Sequence, residues 1–174
     1  KSQLLYNEGY SDSAIKIMID LANLLEERNK TDKLAYTLAN IGIALYAQED
    51  YKKSMDYLNK SYRILESIND SVMITVLSGN ISDGYYELKE DSLAKVWSFK
   101  TLNLKNTVKA DEGFFLAYLT LSTLHKNSSL DSALYYAQNA LDVSNKINNK
   151  EFIGNANTQF AYILNSYNRS KEAQ

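Results

Sequence analysis

The sequence predicts an all-α fold, a solenoid of antiparallel helix hairpins. Three observations predict it. Small residues recur at a step of about forty positions. Short polar turn signals separate stretches with apolar residues at helical spacing. Helix breakers are scarce: of 174 residues none is proline and six are glycine, while Leu, Ala, Lys, Glu and Tyr abound. That balance favours helix.

The recurrence is specific. One small-residue column holds Ala14, Ser54, Ala94, Ala133 and Ala173, at steps of 40, 40, 39 and 40. A second, twelve (once eleven) positions earlier, holds Gly42, Ser82, Ser122 and Ala161, each preceded by an apolar residue: Ile41, Ile81, Leu121 and Phe160. A third holds Ser61, Thr101 and Ala140. Gly42 sits inside a helical pattern, where Gly costs roughly 0.5–1 kcal/mol against Ala. Close packing of a helix against its partner offsets that cost, and a bulky side chain there would push the pair apart.

Each unit then reads as two helices. A second helix at about 11–29 opens the chain. First and second helices come next at about 31–48 and 50–68, 70–89 and 91–108, and 110–126 and 130–147. A last first helix covers about 149–167. Turn signals fall at "QED" 48–50, "IND" 68–70, "KED" 89–91, "NSS" 127–129, "NNK" 148–150 and "YNRS" 167–170. The chain is one repeat domain over 1–174, with units at about 1–29, 30–68, 69–108, 109–147 and 148–174. The outer two are partial, and the first residue is Lys1 rather than Met. A longer parent array is expected.

Composition narrows the function. The net charge of −2 with interspersed signs excludes a basic nucleic-acid stripe. No apolar run approaches a membrane span, and no signal peptide is visible. The absence of cysteine excludes disulfides, thiolate zinc sites and thiol nucleophiles. It leaves a cytoplasmic and a periplasmic location equally open.

The pattern resembles the tetratricopeptide repeat (TPR). That family's signature is an apolar–small pair, an aromatic or Leu three further on, and a small residue about twelve after the first. "LANIGIALYAQEDYKKSMDYLNKS" (38–61) carries it through Leu38, Ile41-Gly42, Leu45, Tyr51, Ser54, Leu58 and Ser61. "SGNISDGYYELKEDSLA" (78–94) and "YLTLSTLHKNSSLDSALYYAQNA" (118–140) carry it less fully. Two departures stand out. The period is about 40 against the family's 34, and the proline near the end of the second helix is missing. Both imply helices of about 18 residues, roughly 27 Å each. HEAT repeats share the longer period but carry a first-helix proline that this chain lacks.

The resemblance implies a right-handed superhelix whose first helices line a concave groove. Inner-face positions there are Tyr36, Asn40, Ile43, Tyr46 and Ala47, then Val76, Asn80, Asp83, Tyr86 and Glu87, then Leu116, Thr120 and Thr123, and finally Asn155, Gln159 and Tyr162. Within this set Asn40, Asn80, Thr120 and Gln159 form a polar column. Amides suit an extended peptide because each offers a donor and an acceptor. The family's peptide-backbone contact by Asn carries over to Asn40 and Asn80; Thr120 and Gln159 match more loosely. The plainer reading is that these groups bond neighbouring helices or face solvent. TPR domains that clamp a carboxylate terminus use Lys and Arg beside such Asn residues. Here Tyr36 and Val76 take the first Lys place, and Asp83 and Glu87 make the second unit acidic. A basic or neutral polar contact fits better.

Signals for catalysis are weak. His125 shares a column with Leu45, Tyr85 and Leu164, where side chains pack between helices. No Gly-rich phosphate loop or metal-ligand spacing occurs, and no cofactor is expected. Glu26-Glu27 reads as a solvated face, "ALYYAQNAL" as interface packing, and the Asn-x-Ser/Thr triplets as composition. The expected function is capture of a protein or peptide partner. The resemblance, with an Asn-, Lys-, Ile- and Tyr-rich composition typical of AT-rich genomes, implies the sensing or scaffolding part of a bacterial signalling or transcription regulator. The alternative is a structural module that homodimerises through an open end of the solenoid.

Overall fold

In the computed structural model, which describes residues 12–172 (side chains through Asn168), the turns set the architecture. Asn29, Glu49, Asn69 and Lys89 all take φ between 54° and 64°. They lie twenty residues apart. Each closes a helix end with the same bonds: Glu49 N–H donates to the Tyr46 carbonyl (2.9 Å) and Asp50 N–H to the Leu45 carbonyl (3.0 Å). The pairs at 29/30, 69/70 and 89/90 repeat that pattern. This crossed closure uses carbonyls that a helix end otherwise leaves bare. Asn accepts left-handed backbone at little cost because its short amide can bond the local backbone; Glu49 and Lys89 adopt it without that help.

Eight helices occur among the described residues: α1 Asp12–Glu27, α2 Thr31–Ala47, α3 Tyr51–Ser67, α4 Ser71–Glu87, α5 Asp91–Leu102, α6 Asp111–His125, α7 Leu130–Ile147 and α8 Lys150–Glu172. Asp50, Asp70 and Ser129 cap α3, α4 and α7 by accepting the N–H three residues on. Consecutive helices pair as hairpins, and each hairpin packs on the next. No strand occurs among the described residues.

The small-residue columns fill the hairpin seams. Ser54, Ala94 and Ala133 are fully buried, as are Ser61, Thr101 and Ala140. A Cβ on Gly42 would come within 2.5 Å of Leu58 Cδ2, so α2 lies directly on α3 there. The apolar partners Ile41, Ile81 and Leu121 are also fully buried, each contributing about 1.5–3 kcal/mol. Ser61 donates to the Ala35 carbonyl (2.7 Å), and Ser82 to the Ala94 carbonyl (3.0 Å), so hydroxyls in the seams bond across the helix pair. Overlapping apolar clusters run from Ile15 and Ala22 on α1 to Ile163 on α8.

Three expectations are corrected. α5 ends at Leu102 rather than near 108. Residues 103–107 tighten into i→i−3 turns, with Lys105 N–H on the Leu102 carbonyl (3.1 Å) and Thr107 N–H on the Leu104 carbonyl (3.0 Å); Asn and β-branched residues hold helix poorly. At the other end α8 runs through the expected 167–170 turn to Glu172, since neither Gly nor Pro occurs between Tyr167 and Glu172. Among the described residues no second helix then folds back on Ala161, which is exposed, and Ala14 is half-buried. Ala173 lies outside the described residues.

Successive first helices approach unevenly. A Cβ on Gly113 of α6 would meet the Thr75 carbonyl oxygen of α4 at 2.3 Å, and one on Gly79 of α4 would meet Gly113 O at 2.7 Å. Backbone touches backbone between α4 and α6. No such closeness ties α2 to α4; side chains bridge them instead.

Candidate functional site

Those bridges lie on the inner face. Tyr36 of α2 donates its hydroxyl to Asp70, the residue that caps α4. At the other end of α2, the Tyr46 hydroxyl donates to Asp83 Oδ2 (2.6 Å), with Tyr51 edge-on to the Tyr46 ring (centroids 5.1 Å). Burial raises the Asp83 carboxyl to about 6, opposed by the Tyr46 hydroxyl and reinforced by the negative charge of Glu87.

This has a stability consequence. A carboxyl raised from the unfolded value of 3.8 to about 6 binds protons more readily when folded. Stability therefore falls as pH rises from about 4 through 6 and stays lower above. Asp83→Asn keeps an acceptor for Tyr46 and removes the buried charge. It should stabilise the chain by about 1–2 kcal/mol at pH 7.5 and by almost nothing at pH 4, read from urea melts at both pH values.

Beside Asp83 opens a cleft of about 310 Å³ between α4, α6 and α8. Asp83, Tyr86 and Glu87 form one wall; Leu119, Thr120 and Thr123 the floor; Asn155, Thr158 and Gln159 the other wall. Four expected residues thus come together: Asp83, Tyr86, Thr120 and Gln159. Glu87, Thr123 and Asn155 from the wider set join them. Leu119 and Thr158 were not expected. Each directly precedes a member of the polar column, a neighbour position that a single-column reading passes over.

The remaining expected residues do not line this cleft. Tyr36 and Tyr46 serve the α2–α4 bridges. Ile43 packs against the α2–α5 core, and Val76 is half-buried. The polar column is not evenly presented. Asn40 is exposed, but Asn80 is 8% exposed and its Nδ2 donates to the Val76 carbonyl (2.9 Å). Thr120 is 2% exposed. Gln159 Nε2 donates to Thr123 Oγ1 (3.1 Å) and Ser122 Oγ (3.3 Å), tying α8 to α6. Asn80 and Gln159 thus spend their amides on their own or a neighbouring helix, while Thr120 and Gln159 still border the cleft.

His125 packs against Tyr136 of α7 (centroids 5.6 Å) with Nδ1 buried. Burial and nearby Lys95 depress its pKa. Among the described residues no group of three or more His, Asp or Glu is placed to hold a metal, and no helix is long and apolar enough to cross a membrane.

Helix hairpins stacked in this order, with an open face built from the first helix of each, define a right-handed TPR-like solenoid. The chain is similar to the kinesin light chain-like protein of Podosopora anserina with nearly identical TPR-like repeats: TM-score 0.70, 10% identity, 99% of this chain and 86% of that one. A single-substitution variant of that protein gives a TM-score of 0.71 over the same shares at 10% identity. BtubC (BKLC) from P. vanneervenii matches with a TM-score of 0.57 at 12% identity, over 92% of this chain and 79% of that one. No protein-family model matches the chain, and no curated protein matches it.

Proposed function

We propose that this chain is a protein-interaction module that holds a segment of a partner on its inner face, across α4, α6 and α8. The observation that carries this reading is the cleft itself. It is open, it is built by three successive first helices, and it combines carboxylates with amides and hydroxyls. A groove of that kind suits an extended segment with a basic or neutral polar side chain at Asp83 and Glu87. Such a module is a sensing or scaffolding part of a larger bacterial signalling or regulatory protein.

A peptide array probed with the 174-residue chain tests it. Lysine- or arginine-bearing peptides should bind, and Asp83→Asn with Glu87→Gln should weaken them about tenfold or more. Binding should also fade below pH 6, as Asp83 takes up a proton. Peptide binding that ignores both the double substitution and pH would sink the reading. The alternative, homodimerisation through an end of the solenoid, has one observation in its favour: Ile17, Leu21 and Leu24 form an exposed apolar stripe on α1. It predicts dimers on a sizing column and no peptide capture.

A further inference from the structure

The forty-residue register allows one interface to be laid over the next. Between α3 and α5, Tyr62 meets Trp97 edge-on (centroids 4.9 Å, 89°). Lys100 Nζ caps both rings, at 4.6 Å from Tyr62 and 4.7 Å from Trp97, and pairs with Glu66 at 3.6 Å. Forty residues earlier the same places hold Ala22, Tyr57, Lys60 and Glu26. The lysine sits above the aromatic ring again, 5.6 Å from Tyr57. The acidic residue is present as well. Only the ring of Tyr62 is missing, because Ala22 stands in its place.

The gap is real space. A cleft of about 390 Å³ opens there, with Ala22, Leu34, Leu38 and Ile64 as its apolar floor and Tyr57 as a wall. That volume lies in the range of small-molecule pockets. On its rim Asn23 and Glu26 face Lys60 and Arg63. Arg63 has no counterpart in the filled interface, where Asn103 stands. It makes no ion pair among the described residues. Glu26 sets one negative charge against the two positive charges of Lys60 and Arg63, so the rim is left with one positive charge in excess.

We infer that the α1–α3 groove binds a small aromatic carboxylate, whose ring takes the place that Tyr62 fills one repeat later and whose carboxylate meets Arg63. The ring lies edge-on to Tyr57 under Lys60, a geometry that aromatic pairs and cation–π contacts favour. The planar fork of arginine suits a carboxylate. This site opens between the second helices α1 and α3, with Leu34 and Leu38 of α2 beneath it, and is independent of the inner-face reading.

The test is an NMR titration of the isotopically labelled 174-residue chain with 4-hydroxyphenylacetate. Saturable shifts are expected at Ala22, Leu38, Tyr57 and Ile64. Cyclohexylacetate lacks the aromatic ring and phenethyl alcohol lacks the carboxylate, so each should bind at least tenfold more weakly. Arg63→Gln, an exposed change that leaves the core intact, should cost about tenfold in affinity. Ala22→Tyr should rebuild the filled interface, raise the melting temperature and abolish the shifts. Ala22→Leu serves in its place if that variant folds poorly. Shifts that scatter over the surface, equal binding of cyclohexylacetate, or undiminished binding to the filled variants would overturn the inference.

Discussion

Gly113→Ala should melt roughly 5–10 °C below the wild type, the equivalent of about 2–3 kcal/mol. The added Cβ would stand 2.3 Å from the Thr75 carbonyl oxygen and 3.0 Å from Val76 Cα. Both are backbone atoms of α4, so no rotamer change relieves them. The helices must separate along their length, and the seam around Gly79 opens with them. Against this, Ala gains at most about 1 kcal/mol in helix propensity. Gly154→Ala supplies the contrast. Nothing lies within 4 Å of its Cβ position, so the propensity gain stands alone and the melting point should rise slightly. Equal behaviour of the two variants in thermal melts would show that α4 and α6 are not in backbone contact.

Phe115→Ala should cost about 3–5 kcal/mol, the range for emptying a large core site. Phe115 is fully buried on α6, and its ring stacks on Phe152 of α8 (centroids 4.3 Å, 7° apart). It joins Phe114, Tyr118, Ala140, Val143 and Ala156 in one cluster spanning α6, α7 and α8. In a linear stack the loss stays local, since each hairpin is held only by its neighbours. Hydrogen exchange should quicken in α6–α8 while amides of α2 and α3 keep their protection. Uniform loss of protection along the chain would mean that the array unfolds as one body.

Much of the fold was legible because its signals are local or strictly periodic. Ser54, Ala94 and Ala133 mark a seam through small size alone, and all three are buried in it. Asn29, Asn69 and Asn148 sit at turns because Asn accepts left-handed backbone. The early end of α5 depends on a weak stretch, Asn103 to Val108, whose neighbours decide the outcome. The extension of α8 through "YNRS" was not readable because its Tyr, Asn and Ser are weak helix formers without being breakers, so they permit a turn but do not force one.

The site was legible in part. Asp83, Tyr86, Thr120 and Gln159 all belong to the expected inner face and do converge on one cleft. The orientation of the amides was not readable. A modest rotation of a helix about its axis moves a residue such as Asn80 from groove to seam. That rotation is set by contacts such as Gly79 on Gly113, far apart in sequence. The missing ring at Ala22 was readable only by aligning neighbouring interfaces, because alanine is the commonplace residue of a helix.

The left-handed residues at 29, 49, 69 and 89 give every boundary between them the same entry and exit geometry. A forty-residue stretch bounded by alternate such points, 29 to 69 or 49 to 89, is therefore an interchangeable cassette. Gene duplication or deletion in whole cassettes lengthens or shortens the array while leaving each junction chemically unaltered, so reach along a partner can change in evolution without any joint being reinvented.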